Sequence, residues 1–217
     1  MFLAPSVGTV AHSSLGTLAL ISRATFQIGF EDGSGAAASA GSTVSDCTEA
    51  TRFIFPVRAT SAIALTRKRR PILGIIDQPI SRERWVGLSG RPTTLNGAII
   101  RCRPCAALAA ATLFATAPDM FKANDAASFT RVSAAVKLTR FGADCYAYGL
   151  VAAGFVDLVL EASLKPHDFC AMVPIVEGAG GVVTDWRGGP LNLDSDGRVL
   201  VAGDPRVHRA ALELIDG

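Results

Sequence analysis

The stretch VDLVLEASLKPHDFCAMVPIVEGAGGVVT, residues 156–184, limits the possible folds more than any other part of the chain. Residues 156–160 form a nearly continuous apolar run, as expected of a strand buried on both faces. Residues 169–177 read as an apolar helix closed by Gly178, Gly180 and Gly181, and residues 182–184 as another strand. A strand, a helix and a strand in so short a span require a layered α/β arrangement. Asp168 follows Pro166 and directly precedes the apolar helix, so its carboxylate is expected at or next to the N-cap. Two readings of that carboxylate stand: a helix cap, or a hard oxygen ligand for a cation such as Mg²⁺.

The remainder divides in character. Residues 62–65 and 72–76 are short apolar, β-branched runs on either side of the basic turn TRKRR, residues 66–70, which is a hairpin signature. Residues 85–88 continue the meander, while Asp77, Gln78 and Pro79 are expected to break it and GRPTTLNG, residues 90–97, to form a turn-rich link. Residues 105–116 suit a helix or a strand and stop before Pro118, and residues 125–136 read as an amphipathic helix presenting Ala126, Phe129, Val132 and Val136. Small polar residues 33–45 read as a loop. The expectation is a mixed α/β architecture with a hairpin-rich N-terminal half, residues 1–100, and an α/β half, residues 101–217.

A formal net charge of +2 predicts no general attraction to nucleic acid or an anionic membrane, and the short basic run is read as a solvated turn. The apolar stretch at residues 15–21 has no basic residue before it and is too short to span a bilayer, so neither a signal peptide nor a membrane helix is expected. Five widely spaced cysteines in a chain of this size point to free thiols and a reducing, cytoplasmic setting. Cys102 and Cys105 have the spacing of half a zinc site without a second half, so no zinc is expected. His12 and His208 are read as surface residues and His167 as packed beside the candidate site, with no catalytic role for any of the three.

Five stretches, GIIDQPISRERWVG, GRPTTLNG, LFATAPDMF, RFGADCYAYGLVAAGFVDLVLEA and LKPHDFCAMVPIVEGAGGVVTDW, together resemble the inositol monophosphatase superfamily in order and spacing. The last two look most like its histidinol-phosphate phosphatase branch. The resemblance implies a layered αβαβα sandwich and a Mg²⁺-dependent phosphate monoester hydrolase, acting on a small metabolite such as histidinol phosphate, with a homodimer as the common assembly. It also implies that Asp168 is a metal ligand, that Glu161 touches polar groups of the substrate, and that Arg140 is a second candidate for that role.

The family's Gly-Glu-Glu motif aligns with Gly29, Phe30 and Glu31, and its Asp-Pro-Ile-Asp-Gly-Thr motif with residues 46–51, DCTEAT. Carried over position by position, Asp46, Thr48, Glu49 and Glu31 become metal ligands beside Asp168. Thr51, aided by Glu31, orients the attacking water, and backbone N–H groups at Ala50 and Thr51 receive phosphate at a turn leading into a helix N-terminus. Read without the resemblance, Asp46 and Glu49 are two acids on a solvated face. Three residues depart from the motifs. Phe30 stands where a glutamate ligates, and a phenyl ring cannot; Glu49 is one methylene longer than aspartate; Ala50 replaces a turn glycine. With 28 residues ahead of Gly29, the N-terminal part is also expected to be shortened relative to the family.

Overall fold

The computed structural model describes residues 60–217 in full and residues 50–54 as backbone, all within a compact unit spanning residues 46–217. Six antiparallel strands come first: β1 (Ala50–Ile54), β2 (Ser61–Arg67), β3 (Arg70–Gln78), β4 (Glu83–Leu88), β5 (Thr94–Leu95) and β6 (Ala98–Ile99), paired in chain order. The basic run forms the turn of the β2–β3 hairpin. Lys68 and Arg69 are its two loop residues, with φ of 49° and 63°, and Arg67 pairs with Arg70. Positive φ at both loop positions gives the right-handed twist that a two-residue hairpin needs. The tip is also fastened: the Arg69 guanidinium donates to Asp194, and the Leu193 N–H donates to the Arg69 carbonyl at 3.0 Å. The break expected at Asp77 and Gln78 is not there, because both residues pair with β4, opposite Arg84 and Glu83. Arg84 Nε donates to Asp77 Oδ1 at 2.7 Å, so a cross-strand ion pair offsets the polar residues' weak strand preference.

A second sheet contains β7 (Thr112–Ala115), β8 (Leu138–Phe141), β9 (Leu158–Glu161), β10 (Val182–Thr184) and β11 (Val199–Ala202), in the spatial order β10-β11-β9-β7-β8. β8 and β9 flank β7 in parallel, and β11 joins β9 antiparallel. Five helices accompany it: α1 (Asn124–Ala135), α2 (Tyr146–Ala152), α3 (Pro166–Phe169), α4 (Met172–Gly178) and α5 (Pro205–Asp216). Every residue of β9 and β11 is buried. Val159, Val199 and Val201 pack with α2, α4 and the first sheet, whereas Leu158, Leu160, Leu200 and Ala202 pack with α1 and α5. The alternation of side chains along a strand thus fills two cores from one sheet. The described layers are a sheet, a helical layer, a second sheet and an outer helical layer, in agreement with the expected α/β sandwich.

The central helix comes close to the first sheet because two glycines let it. A Cβ on Gly74 would collide with the carbonyl oxygen of Ala171, and one on Gly87 would lie 2.5 Å from Cα of Ile175. The helix expected over residues 169–177 is divided into α3 and α4, although Cys170 and Ala171 keep right-handed helical angles. Pro174 has no N–H for the carbonyl of residue 170, so the hydrogen-bond ladder is interrupted there.

His208, expected at the surface, is buried on α5 with Nε2 2.8 Å from Thr184 Oγ1. The Thr184 hydroxyl also lies 2.7 Å from the Asp185 carbonyl, to which it donates, leaving its oxygen to accept from the imidazole. The sequence-based expectation failed because α5 turns this polar position toward β10 rather than toward water.

Two outcomes follow from this packing. Gly87→Ala should lower the free energy of unfolding in urea by about 1–3 kcal/mol, because the new methyl meets helix backbone that cannot rotate away. Burial pushes the His208 pKa down, so the unfolded chain binds a proton there more readily than the folded one. Stability should therefore fall as pH drops below the ordinary histidine value of about 6.5, by at most about 1.4 kcal/mol per pH unit for a single group. Urea unfolding of His208→Gln at a series of pH values should show a shallower loss over the same range.

Candidate active site at the carboxyl ends of the parallel strands

β7, β8 and β9 run parallel and finish together at Ala115, Phe141 and Glu161. After β7 the chain passes to α1 on one face of the sheet; after β8 it passes to α2 on the other. Where successive connections part in this way, a crevice opens beyond the strand ends, the usual location of ligand sites in open parallel sheets. Thr116, Asp144, Glu161 and Asp168 all lie at or just beyond these ends.

Glu161 is the most constrained of the four. Its side chain is buried, and its Oε1 accepts from the Thr116 N–H at 2.9 Å and from the Thr116 hydroxyl at 2.6 Å. Oε2 accepts from the Tyr148 hydroxyl at 2.6 Å. Burial raises the Glu161 pKa, and the Thr116 and Tyr148 hydrogen bonds act against that rise. At the opposite end of β9, Asp157 plays a parallel structural part. It accepts from the Thr112 N–H at 2.7 Å and from Arg103 Nε at 2.7 Å. Asp157 and Glu161 therefore hold the first residue of β7 and the residue just after its end. They differ in one respect: Asp157 faces a guanidinium, while the donors on Glu161 are neutral.

Asp168 is the third residue of α3, not its cap. Its Oδ2 accepts from the Lys165 N–H at 2.7 Å, and His167 Nε2 lies 3.6 Å from Oδ1. Pro166 initiates the helix three residues earlier than expected, because its fixed φ suits the first helical position. Asp168 thus acts as a local acceptor at a helix start and still presents a partly exposed carboxylate. His167 packs beside it, as expected. Asp144 stands in the loop before α2 with φ of 46°, exposed at the same end of the sheet. Asp144, Glu161 and Asp168 each raise the Cys145 pKa by their charge, after the larger effect of burial, and together bring that thiol to about 12. Held protonated, Cys145 does not serve as a nucleophile near neutral pH. Burial also pushes the Cys102 and Cys170 thiols up to about 11, and the four cysteines among the described residues carry free thiols.

The other expected site residues are placed as follows. Arg140 is exposed on the edge strand β8, in register with Phe114. Ala50 and Thr51 belong to β1, opposite Leu65 and Ala64, so the turn expected at Ala50 and the helix start beside Thr51 are replaced by strand. The following Arg-Phe-Ile has the β-branched and aromatic character that pairs readily with β2. Glu31, Asp46, Thr48 and Glu49, with Phe30, lie outside the described residues. Among the described residues no three His, Cys, Asp or Glu side chains converge as a metal-binding group. Asp168 suits Mg²⁺ in donor chemistry and partial exposure, and it supplies one ligand rather than a set. Thr116, Tyr148 and Asp144 escaped notice in the sequence. Tyr148 and Asp144 fall inside GADCYAYG, but only the fold turns Tyr148 toward β9.

The sequence profile of the inositol monophosphatase family matches residues 53–216. The chain belongs to that family. A chloroplastic bifunctional phosphatase, IMPL2, of Arabidopsis thaliana is 47% identical over 161 residues, covering 71% of this chain and 46% of the relative. A histidinol-phosphatase of Chlorobaculum parvum is 31% identical over 140 residues, covering 63% of this chain and 53% of the relative. Among solved structures, an inositol monophosphatase from Zymomonas mobilis superimposes with a TM-score of 0.71 at 46% identity, covering 73% of this chain and 62% of that one. The chain thus spans about half the length of the curated relatives it matches. Among the described residues no helix is long and apolar enough to cross a membrane.

Proposed function

We propose that this protein is a Mg²⁺-dependent phosphate monoester hydrolase whose substrate carries a cationic amine, with histidinol phosphate as the specific candidate. The observation that carries the reading is buried Glu161 at the carboxyl end of β9, held among the described residues by neutral donors, with Asp144 and Asp168 following the same strand ends. A buried carboxylate whose donors among the described residues are all neutral favours a ligand that brings a positive charge, and an ammonium group does so. Family membership and the similarity to a bifunctional phosphatase support phosphate ester chemistry, and the similarity to a histidinol-phosphatase supports this substrate class.

In this reading Asp168, Asp46, Glu49, Glu31 and Thr48 hold Mg²⁺. Mg²⁺ held there would neutralise phosphate charge and lower the pKa of a water. Thr51, helped by Glu31, orients the attacking water, while N–H groups at Ala50 and Thr51 receive phosphate oxygens. Glu161 fixes the amine end of the substrate, with Arg140 as a further contact, so that the ester points toward Asp168. A second reading is favoured by a specific observation: Phe30 replaces a carboxylate, and Ala50 and Thr51 lie in a strand rather than a phosphate-cradling turn. In that reading the chain retains the fold and binds phosphate weakly without turnover. Inositol monophosphatase-like activity is the alternative if alcohol phosphates without an amine are preferred.

Phosphate release from histidinol phosphate and from inositol 1-phosphate, with and without Mg²⁺, separates these possibilities. The expected result is Mg²⁺-dependent release that favours histidinol phosphate and falls by roughly 100-fold or more in Asp168→Asn. No Mg²⁺-dependent release at high protein concentration would select the second reading. Glu161→Gln should remove the preference for the amine-bearing substrate, and an unchanged preference would take Glu161 out of substrate recognition.

A further inference from the structure

We infer that Tyr148 is a positioning residue which, with Thr116, holds the Glu161 carboxylate in one orientation and leaves it an acceptor position for a cationic group. This inference rests on the amine-recognition reading above. An ionised carboxylate offers about four acceptor positions. Three on Glu161 are filled, two on Oε1 by the N–H and hydroxyl of Thr116 and one on Oε2 by the Tyr148 hydroxyl. The position left open is therefore on Oε2, beside the phenol.

The anchoring is rigid on both sides. Thr116 follows the end of β7, and its backbone N–H cannot swing. Tyr148 sits in the first turn of α2 and is fully buried in the central core, where its ring packs among Val159, Phe169 and their neighbours. Its hydroxyl is its polar end, and that end is committed to Glu161. A carboxylate held by three neutral donors keeps its orientation without having its charge cancelled, as an ion pair would do at Asp157. Among the described residues, Asp144 and Cys145 from the loop before α2 and Tyr148 from α2 act on this carboxylate, and Asp168 of α3 acts on the same Cys145 and Tyr148. Beyond the hydroxyl donors these neighbours are acids or a protonated thiol, so the field at the open Oε2 position favours a cation.

Tyr148→Phe removes one oxygen and leaves the ring to fill the core. With the full chain and Mg²⁺, the variant should show KM for histidinol phosphate raised about tenfold, as expected for loss of a hydrogen bond to a charged group, and kcat changed by no more than about twofold. KM for glycerol 2-phosphate, which has no amine, should stay at the wild-type value. A direct readout accompanies the kinetics: the ¹³Cδ resonance of Glu161, assigned with Glu161→Gln, should titrate at higher pH in Tyr148→Phe, because a donor that stabilises the anion is gone. An unmoved Glu161 titration, or equal KM increases for both substrates, would overturn the inference and leave Tyr148 a packing residue. If the wild-type chain releases no phosphate, the proposed activity fails on its own evidence. The Glu161 titration with and without L-histidinol then decides the role of Tyr148: a shift on adding histidinol that Tyr148→Phe weakens supports the inference, and no shift in either protein defeats it.

Discussion

The parallel pairing of β7 and β9 is the constraint on which the remaining arrangement depends. Parallel strands cannot be joined by a tight turn, so their register has to come from contacts between residues far apart in sequence. Two carboxylates four positions apart on the β9 segment supply it. Asp157 takes the N–H of Thr112 as β7 begins, and Glu161 takes the N–H of Thr116 just after β7 ends. A slip of one residue would leave two buried carboxylates without those donors, which is costly in an apolar interior. The two acids also assign different tasks to the ends of the sheet. At one end Arg103 neutralises Asp157; at the other, neutral donors orient Glu161.

Because β9 and β11 are buried on both faces, each helical layer has to fit against the sheet with its few buried polar side chains paired, as Tyr148 is to Glu161. The central layer is under the tighter demand, since α4 also meets the first sheet. Gly74 and Gly87 on neighbouring strands remove the side chains that would hold it off. On the helix side, the Thr93 hydroxyl donates to the Ile175 carbonyl at 2.7 Å, linking the link after β4 to the helix. The segment from β9 to α4 is therefore held from both sides, and this rigidity fixes Asp168 relative to Glu161. A site built at strand ends and helix starts keeps its geometry better than one carried on a free loop.

Much of the architecture was legible from periodicity. The β2–β3 hairpin followed from two β-branched runs around a basic turn, and α1 followed from Phe129 and Val132 on one face. The strand at β9 followed from its unbroken apolar run. The departures have local causes. Asp77 and Gln78 look like strand breakers until the Arg84 partner is known. The helix near Asp168 begins at Pro166, since proline favours a first helical position and withholds its N–H nowhere that matters. At Ala50 and Thr51, pairing to β2 outweighs the turn that the aligned motif suggested.

From the order of residues alone come the α/β class, the family, and the candidacy of Glu161 and Asp168, because spacing and residue type are properties of the chain in one dimension. The environments of those residues were not available there. That Glu161 is buried and held by Thr116 and Tyr148, that His208 faces Thr184 rather than water, and that Glu161 and Asp168 join Asp144 in acting on Cys145 depend on contacts across 13 to 45 residues of sequence. Such contacts exist only once the strands are paired and the helices packed. Burial and orientation, the quantities that decide what a carboxylate can do, belong to the tertiary structure.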